Sequence, residues 1–394
     1  MVKTFRDLLR RGPEGEELPA EPAAPERCLS CAADLSSSRS FERYRVCHSC
    51  GFHFHLTARE RVATLLDPGT FHEDDRGVTS IDPISFADRH GYRSRVINAQ
   101  RRTGLAEAVL TGTGLIYGKD VVIAVLDFSF MGGSIGVVAG ERLARAFEKA
   151  AARRSPILTV CSTSGTRMQE GLLALMQLPR IAVAAQALER ERVPHIALLT
   201  DPTTGSAYAG FVNQADFILA EPGALVGFAA MRVVQEAATA ELPKGAHTAE
   251  AQVAHGLIDA VIDRTKLRDS VASLIDLLQS EYRLRASRRT RVGSQAHEHE
   301  DAWRQVQLSR HSLRPTAMDL IAHMATAFVQ IHGDRVGADD PAIVAGVASL
   351  GGEAVMLVGQ QRHQGGAAAD GWVTPSGFRK AERAMRLAAK FDLP

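Results

Sequence analysis

AEAVLTGTGLIYGKDVVIAVLDFSFMGGSIG (106–136) is the stretch that decides the fold, because its pattern occurs twice in the chain. It reads as an apolar strand, a Gly-containing turn, a second apolar strand and a Gly–Gly loop. A basic run with helical spacing, GERLARAFEKAAARR (140–154), follows it. Far downstream, DPAIVAGVASLGGEAVMLVGQQRHQGG (340–366) repeats the order, and SGFRKAERAMRLAAKF (376–391) is its basic helix. An internal repeat marks one supersecondary unit used more than once. In the first copy the next element is the buried strand PILTVCS (156–162). The second copy reaches Leu393 and Pro394 where that strand is due, so the second unit is expected to be incomplete. Half a domain would struggle to bury a core unaided.

Around the first copy, residues 57–284 alternate β-rich runs with amphipathic helical runs. DVVIAVLDFSF, PILTVCS and HIALLT read as strands, and RMQEGLLALMQLPRIAVAAQALERER (167–192) as one long helix. That alternation argues an α/β layer architecture. TARERVATLLDPGTF (57–71) has helical spacing and an early Pro–Gly stop. RASRRTRVGSQAHEHEDA (285–302) is polar and reads as a linker. Residues 1–26, rich in Pro, Glu and Ala, read as a flexible tail with one short helix over 3–11. The expected organisation is therefore a tail (1–26), a cysteine module (27–56), an α/β domain (57–284), and a linker with a second, partial unit (285–394).

The 394 residues are 45% hydrophobic and 23% charged, an ordinary globular composition, with a formal net charge of +1. Bulk electrostatics therefore select no partner, and nucleic-acid binding would need a local basic patch. No apolar run is read as approaching the ~20 residues that span a bilayer, and no secretory signal is read at the N-terminus. A cytoplasmic, reducing compartment is the expectation, with no membrane partner. In such a compartment paired cysteines point to metal rather than to disulfides.

Four of the five cysteines form CLSC (28–31) and CHSC (47–50), separated by fifteen residues. Cys28, Cys31, Cys47 and Cys50 thus have the spacing of two knuckles that close a tetrahedron around one structural zinc ion. Four thiolates leave no open coordination position, so the site is structural rather than catalytic. His48, His53 and His55 lie nearby and read as surface or packing residues. Arg43, Arg45, Arg59 and Arg61 flank the knuckles and read as solvated surface, with a nucleic-acid patch as the alternative. Cys161, the unpaired cysteine, ends an apolar strand and reads as packing.

Three small-residue loops each follow an apolar strand: FMGGSIG (130–136), CSTSGTRMQE (161–170) and TDPTTGSAYAGF (200–211). Together they fit a pocket lined by backbone N–H groups, which can stabilise an enolate or thioester oxyanion without any acidic side chain. Ser, Thr and Gly are also ordinary N-caps, so no one loop decides this. The chain has no Ser-His-Asp order, no HExxH, no P-loop and no dinucleotide fingerprint after its first strand.

The two CxxC pairs, LTARERVATLLDPGTF, DPISFADRHGYRSRV, FMGGSIGVVAGERLARAFEKA, TRMQEGLLALMQLPR, LTDPTTGSAYAGF and AEPGALVGFA appear in that order. Over about residues 27–275 this resembles the zinc-ribbon β subunit of the bacterial acetyl-CoA carboxylase carboxyltransferase. AWRQVQLSRHSLRPTAMDLI, HGDR, DDPAIVAGVASL and GFRKAERAMRLAAKFDLP resemble the N-terminal part of the α subunit. The resemblance implies a crotonase-like ββα superhelix with a zinc ribbon and an incomplete second unit. It implies transfer of a carboxyl group from carboxybiotin to acetyl-CoA, giving malonyl-CoA, with one structural zinc per chain and biotin only in trans. The implied partners are a biotin carboxyl carrier protein, a biotin carboxylase and a chain supplying the rest of the α-type domain, in an oligomer. Ser164, Gly165 and Thr166 are the implied catalytic loop. Gly132, Gly133, Arg167, Gly205 and Ser206 are the implied substrate-binding residues. The family's SGGAR reads TSGTR here, so Ser164 replaces a glycine and Thr166 an alanine. Ser206 stands where a second glycine follows Gly205, and Ala230–Met231 replaces a Gly–Pro. Alternatives are decarboxylation or another acyl-CoA, a non-catalytic nucleic-acid-binding ribbon, and a truncated inactive product.

Overall fold

The computed structural model describes residues 25–88, 90–229, 234, 236, 243, 245–279, 301–309, 311, 313–361 and 372–394. The expected N-terminal helix, the core of the linker, the Ala230–Met231 pair and the second Gly–Gly loop lie outside the described residues. The chain divides into two compact units: the first ends at Ile275 and takes in Arg335–Gly337, and the second comprises Asp276–Asp334 and Ala338–Pro394.

Helices α1 (Arg39–Tyr44) and α2 (Ala58–Leu65) open the first unit, followed by strand β1 (His72–Glu73) and helix α3 (Tyr92–Thr103). Thr57 and Glu60 form a reciprocal capping box that starts α2. Then come β2 (Val109–Ile116), β3 (Lys119–Leu126), α4 (Val137–Arg153), β4 (Ile157–Thr163), α5 (Leu172–Leu175), α6 (Gln177–Arg190) and β5 (His195–Thr204). The unit continues with α7 (Ser206–Ala209), β6 (Phe217–Ala220), β7 (Val226–Gly227), α8 (Ala249–Ala254) and β8 (Ala260–Val261), and α9 (Leu267–Gln279) follows. The sheet runs β1-β2-β3-β4-β5-β6-β8, with β7 also paired to β5. The first three strands are antiparallel, and the rest extend the sheet in parallel from β3. Parallel neighbours need crossover connections, and α4 and α6 supply two of them. Leu143 and Phe147 of α4, Ile181 and Leu188 of α6, and Val122, Ala124, Ala197 and Leu199 of the sheet share one buried core. Each fully buried Val, Leu, Ile or Phe side chain contributes about 1.5–3 kcal/mol.

The long helix expected over 167–192 is broken. Gly171 adopts φ +57, and a 3-10 turn and the short α5 precede α6. Pro179 lacks an N–H, so it is tolerated only near a helix start, and α6 begins at Gln177. By length and composition Leu172–Arg190 is apolar enough to cross a bilayer, which corrects the expectation that no such run exists. In the fold, α6 buries Ile181, Ala184, Ala185 and Leu188 in the core with α4.

The second unit contains α10 (Ala302–Ser309), α11 (Ala317–Met324), β9 (Ala325–Ile331), β10 (Ile343–Leu350), β11 (Glu353–Gln360) and α12 (Pro375–Phe391). The repeat is plain in the hairpins. Tyr117 and Gly118 have φ +49 and +77, and Gly351 and Gly352 have φ +60 and +89. Positive φ at both central residues is what a two-residue hairpin turn needs to match strand twist. Each copy also has a strand the sequence did not announce: β1 pairs with β2, and β9 with β10, both antiparallel. Asp340 accepts from the N–H groups of Ala342 and Thr374 at 2.8 and 2.7 Å, joining the start of β10 to the start of α12.

Candidate functional site

The four knuckle sulfurs all lie within 4.8 Å of one another. Cys28 and Cys50 are 3.6 Å apart, and Cys31 and Cys47 are 3.7 Å apart. Zinc–sulfur bonds of ~2.3 Å in a tetrahedron put the sulfurs about 3.8 Å from each other. The cluster therefore has the size and donor set for one such metal ion. The two knuckles are copies. Ala32 donates to the Cys28 carbonyl at 2.9 Å, and Gly51 to the Cys47 carbonyl at 3.0 Å. Ala32 and Gly51 take φ +59 and +72 to do so. Ser30 and Ser49 aim their amides at Cys28 and Cys47 Sγ, each at 3.4 Å. Leu35, Phe41 and Phe54 pack beside the cysteines in a small separate core.

A buried ionic clamp anchors this module. Glu221, directly after β6, accepts N–H bonds from Arg61 of α2 and from Arg264. Arg264 also donates to the ribbon carbonyls of Tyr44 and Phe54, both at 2.8 Å. Burial would raise the Glu221 pKa, but Arg61 and Arg264 hold it down at about 2. His53 Nε2 lies 3.3 Å from Asp263, and desolvation lowers its pKa despite the neighbouring carboxylates. His53 is thus a packing residue, as its position in the sequence suggested. The flanking arginines do not form a basic patch. Arg61 is buried in the clamp, Arg45 pairs with Glu60, Arg59 pairs with Glu73, and Arg43 lies over the Tyr44 ring.

The three glycine loops meet at the ends of β3, β4 and β5. Ser164 N–H donates to the Gly132 carbonyl at 2.8 Å, and Ser164 Oγ donates to the same carbonyl at 3.0 Å. A methyl group on Gly133 would fall 2.0 Å from the Ser162 carbonyl oxygen. A methyl group on Gly205 would fall 3.0 Å from the Ser164 carbonyl oxygen. All of the loop residues expected at the site except Arg167 therefore line this junction: Gly132, Gly133, Ser164, Gly165, Thr166, Gly205 and Ser206.

Which amides remain free is less obvious. Ser164 N–H serves Gly132, Gly165 N–H donates to Thr163 Oγ1 at 3.0 Å, and Gly205 N–H donates to the Gly227 carbonyl at 3.1 Å. Among the described residues, the N–H groups of Thr166 and Ser206 have no acceptor. Those two amides can take up negative charge on a ligand. Ser164 is absent from the positive-φ residues, so its Cβ brings no backbone strain.

Arg167 departs from its expected role as a substrate contact. It is 1% exposed, and its guanidinium is filled by Glu107, Glu170, Tyr92, Ser80 and Ser134. Burial alone would raise the Glu107 pKa, yet Arg167 lowers it. The same burial raises the Tyr92 phenol. Glu170 also accepts the N–H of Val137, the first residue of α4. Arg167 therefore fixes the β4 loop against α4 and β2. The TRMQE spacing hints at the Arg167–Glu170 pair, but nothing local points to Glu107. Cys161 is buried in the apolar core, and desolvation pushes its thiol up to about 12. It is inert packing, as expected.

Residues 262–394 match the family model described as acetyl co-enzyme A carboxylase carboxyltransferase-like. The acetyl-coenzyme A carboxylase carboxyl transferase subunits beta/alpha of Salinispora arenicola (strain CNS-205) are 41% identical, over 95% of this chain and 69% of that protein. The corresponding beta subunit of Synechococcus sp. (strain RCC307) is 43% identical, over 64% of this chain and 87% of that protein. A transcarboxylase 12S crystal structure with hydrolysed methylmalonyl-coenzyme A aligns with a TM-score of 0.66 at 22% identity, over 86% of this chain and 62% of that one. That last likeness speaks for the fold, which is the crotonase-like carboxyltransferase fold. Sequence identity of this extent and coverage places the chain in the acetyl-coenzyme A carboxylase carboxyl transferase family.

Proposed function

We propose that the chain moves a carboxyl group from carboxybiotin to acetyl-CoA, forming malonyl-CoA. The observation that carries this reading is the junction of three strand-end loops with the amides of Thr166 and Ser206 unspent. As the thioester α-carbon loses its proton, negative charge builds on the thioester oxygen, and these two N–H groups are the donors for it. Gly132, Gly133, Gly165 and Gly205 let backbone approach backbone closely enough to form the junction. Arg167 holds the loop rigid from behind and does not touch the substrate. Carboxybiotin on a separate carrier protein supplies the carboxyl group and, afterwards, the base. No catalytic carboxylate is then required.

Cys28, Cys31, Cys47 and Cys50 hold one structural zinc ion in this reading, with no position left for substrate. The partners are a biotin carboxyl carrier protein, a biotin carboxylase and the remainder of the α-type domain, in an oligomeric, cytoplasmic assembly. The test supplies the chain with those partners, a carboxybiotin donor and labelled acetyl-CoA. Labelled malonyl-CoA is the expected product. No malonyl-CoA formation, together with consumption of malonyl-CoA added alone, would replace transfer with decarboxylation.

A further inference from the structure

Two of the positions where this chain departs from the family's loop pattern touch each other. Thr166 Oγ1 donates to Ser206 Oγ at 2.7 Å. The resemblance places an alanine and a glycine at these positions, a pair that can form no such bond. Accepting this hydrogen bond leaves Ser206 with its own hydroxyl proton. Among the described residues that proton has no acceptor. Both residues are half-buried, so the pair is neither sealed in the core nor dispersed in solvent. A methyl group on Gly165 would lie 3.1 Å from Ser206 N and 3.4 Å from Ser206 Oγ. The hydroxyl thus lies beside the same glycine as the free Ser206 amide, and Thr166 contributes the other free amide.

We infer that Ser206 Oγ–H is a third donor to the thioester oxygen, and that Thr166 is its positioning residue. The inference rests on the acyl-CoA reading of the junction and adds a side-chain donor to its two amides. A hydroxyl that accepts one hydrogen bond is polarised toward donating another, and its rotor is fixed by the bond it accepts. Two preorganised amides plus one oriented hydroxyl make a stronger site for developing negative charge than amides alone.

The experiment compares two ligands of the full chain by calorimetry: acetyl-CoA and S-ethyl-CoA, a thioether that lacks the carbonyl acceptor. The wild-type chain should bind acetyl-CoA more tightly. Ser206→Ala should weaken acetyl-CoA binding by roughly three- to tenfold, the range of one lost hydrogen bond, and leave S-ethyl-CoA unchanged. Thr166→Val should show the same selective loss, Thr166→Ser should restore wild-type affinity, and Thr166→Val with Ser206→Ala should be no worse than Ser206→Ala alone. Unchanged S-ethyl-CoA affinity certifies that each variant keeps a folded pocket. Equal wild-type affinities for the two ligands, or equal weakening of both by Ser206→Ala, would overturn the hydroxyl's role while leaving the acyl-CoA reading intact. Binding of neither ligand by the wild-type chain would sink the acyl-CoA reading, and the inference with it.

Discussion

Replacing Glu221 with Gln removes one charge from the clamp that anchors the cysteine module, and its cost can be worked out from the structure. Glu221 is 2% exposed and receives four N–H bonds, two from Arg61 and two from Arg264. Its carboxyl titrates at about 2, against an ordinary value of 4.5. That difference corresponds to about 3 kcal/mol of folded-state stabilisation at neutral pH. Breaking a buried ion pair by removing one partner costs ~3–5 kcal/mol, so the two routes agree. The sign follows from the depressed pKa. The stabilisation is complete above pH 4.5 and is lost as pH falls toward 2. Glu221→Gln should therefore lose about 3 kcal/mol in urea unfolding at pH 7, and the gap to wild type should shrink steadily below pH 4.5. A gap under ~1 kcal/mol at pH 7 would refute the clamp, since this is the size of an exposed pair. A gap that stays constant from pH 7 to pH 3 would show that the loss comes from packing rather than from charge.

Cys47→Ser should release one equivalent of zinc, measured by metal analysis of the purified chain, while far-UV circular dichroism of the α/β core changes little; unchanged metal content would remove the zinc assignment. Gly133→Ala should abolish carboxyl transfer and destabilise the chain by more than ~2 kcal/mol, because its Cβ would sit 2.0 Å from the Ser162 carbonyl oxygen at φ +62. Wild-type turnover in that variant would show that the loops do not meet as described. Ser164→Gly should keep or raise carboxyl-transfer activity and cost ~1 kcal/mol of stability, the worth of the 3.0 Å bond from Ser164 Oγ to the Gly132 carbonyl. A large loss of turnover at unchanged stability would give the Ser164 hydroxyl a role of its own.

Local chemistry made parts of this protein legible in the sequence. A CxxC knuckle is built within five residues, and both knuckles close through the carbonyl of their own first cysteine. The hairpin–helix repeat is also local, since it rests on strand pattern, turn residues and one amphipathic helix. Long-range partners were not legible. The resemblance made Arg167 a ligand contact, whereas its partner Glu107 lies sixty residues earlier, two residues before β2. The long helix was over-read because apolar periodicity runs through Gly171 and Pro179 without registering the break. The free amides were invisible for a similar reason. Gly132, Thr163 and Gly227 supply the acceptors that occupy the neighbouring N–H groups, and two of those three lie outside the loop they serve.

A chain of contacts joins the four-cysteine module to the junction of the strand-end loops. Arg264 grips the ribbon by its carbonyls, and Glu221 joins Arg264 to Arg61 on α2. The first amide of α2, from Ala58, donates to Asp127 Oδ2 at 2.7 Å. Asp127 directly follows β3, and its other oxygen accepts Ser129 N–H at 2.9 Å as the chain enters the loop that carries Gly132 and Gly133. The Gly132 carbonyl in turn takes the Ser164 amide. This continuity defines what the ribbon can influence: the placement of the β3 loop, and through it the amide of Ser164. A site built from backbone donors has no side-chain rotamer to readjust when a loop shifts, so its precision depends on the elements that clamp those loops. The ribbon clamps the β3 side of the junction and the Arg167 network clamps the β4 side, and the Thr166–Ser206 hydroxyl pair ties the loop after β4 to the loop after β5.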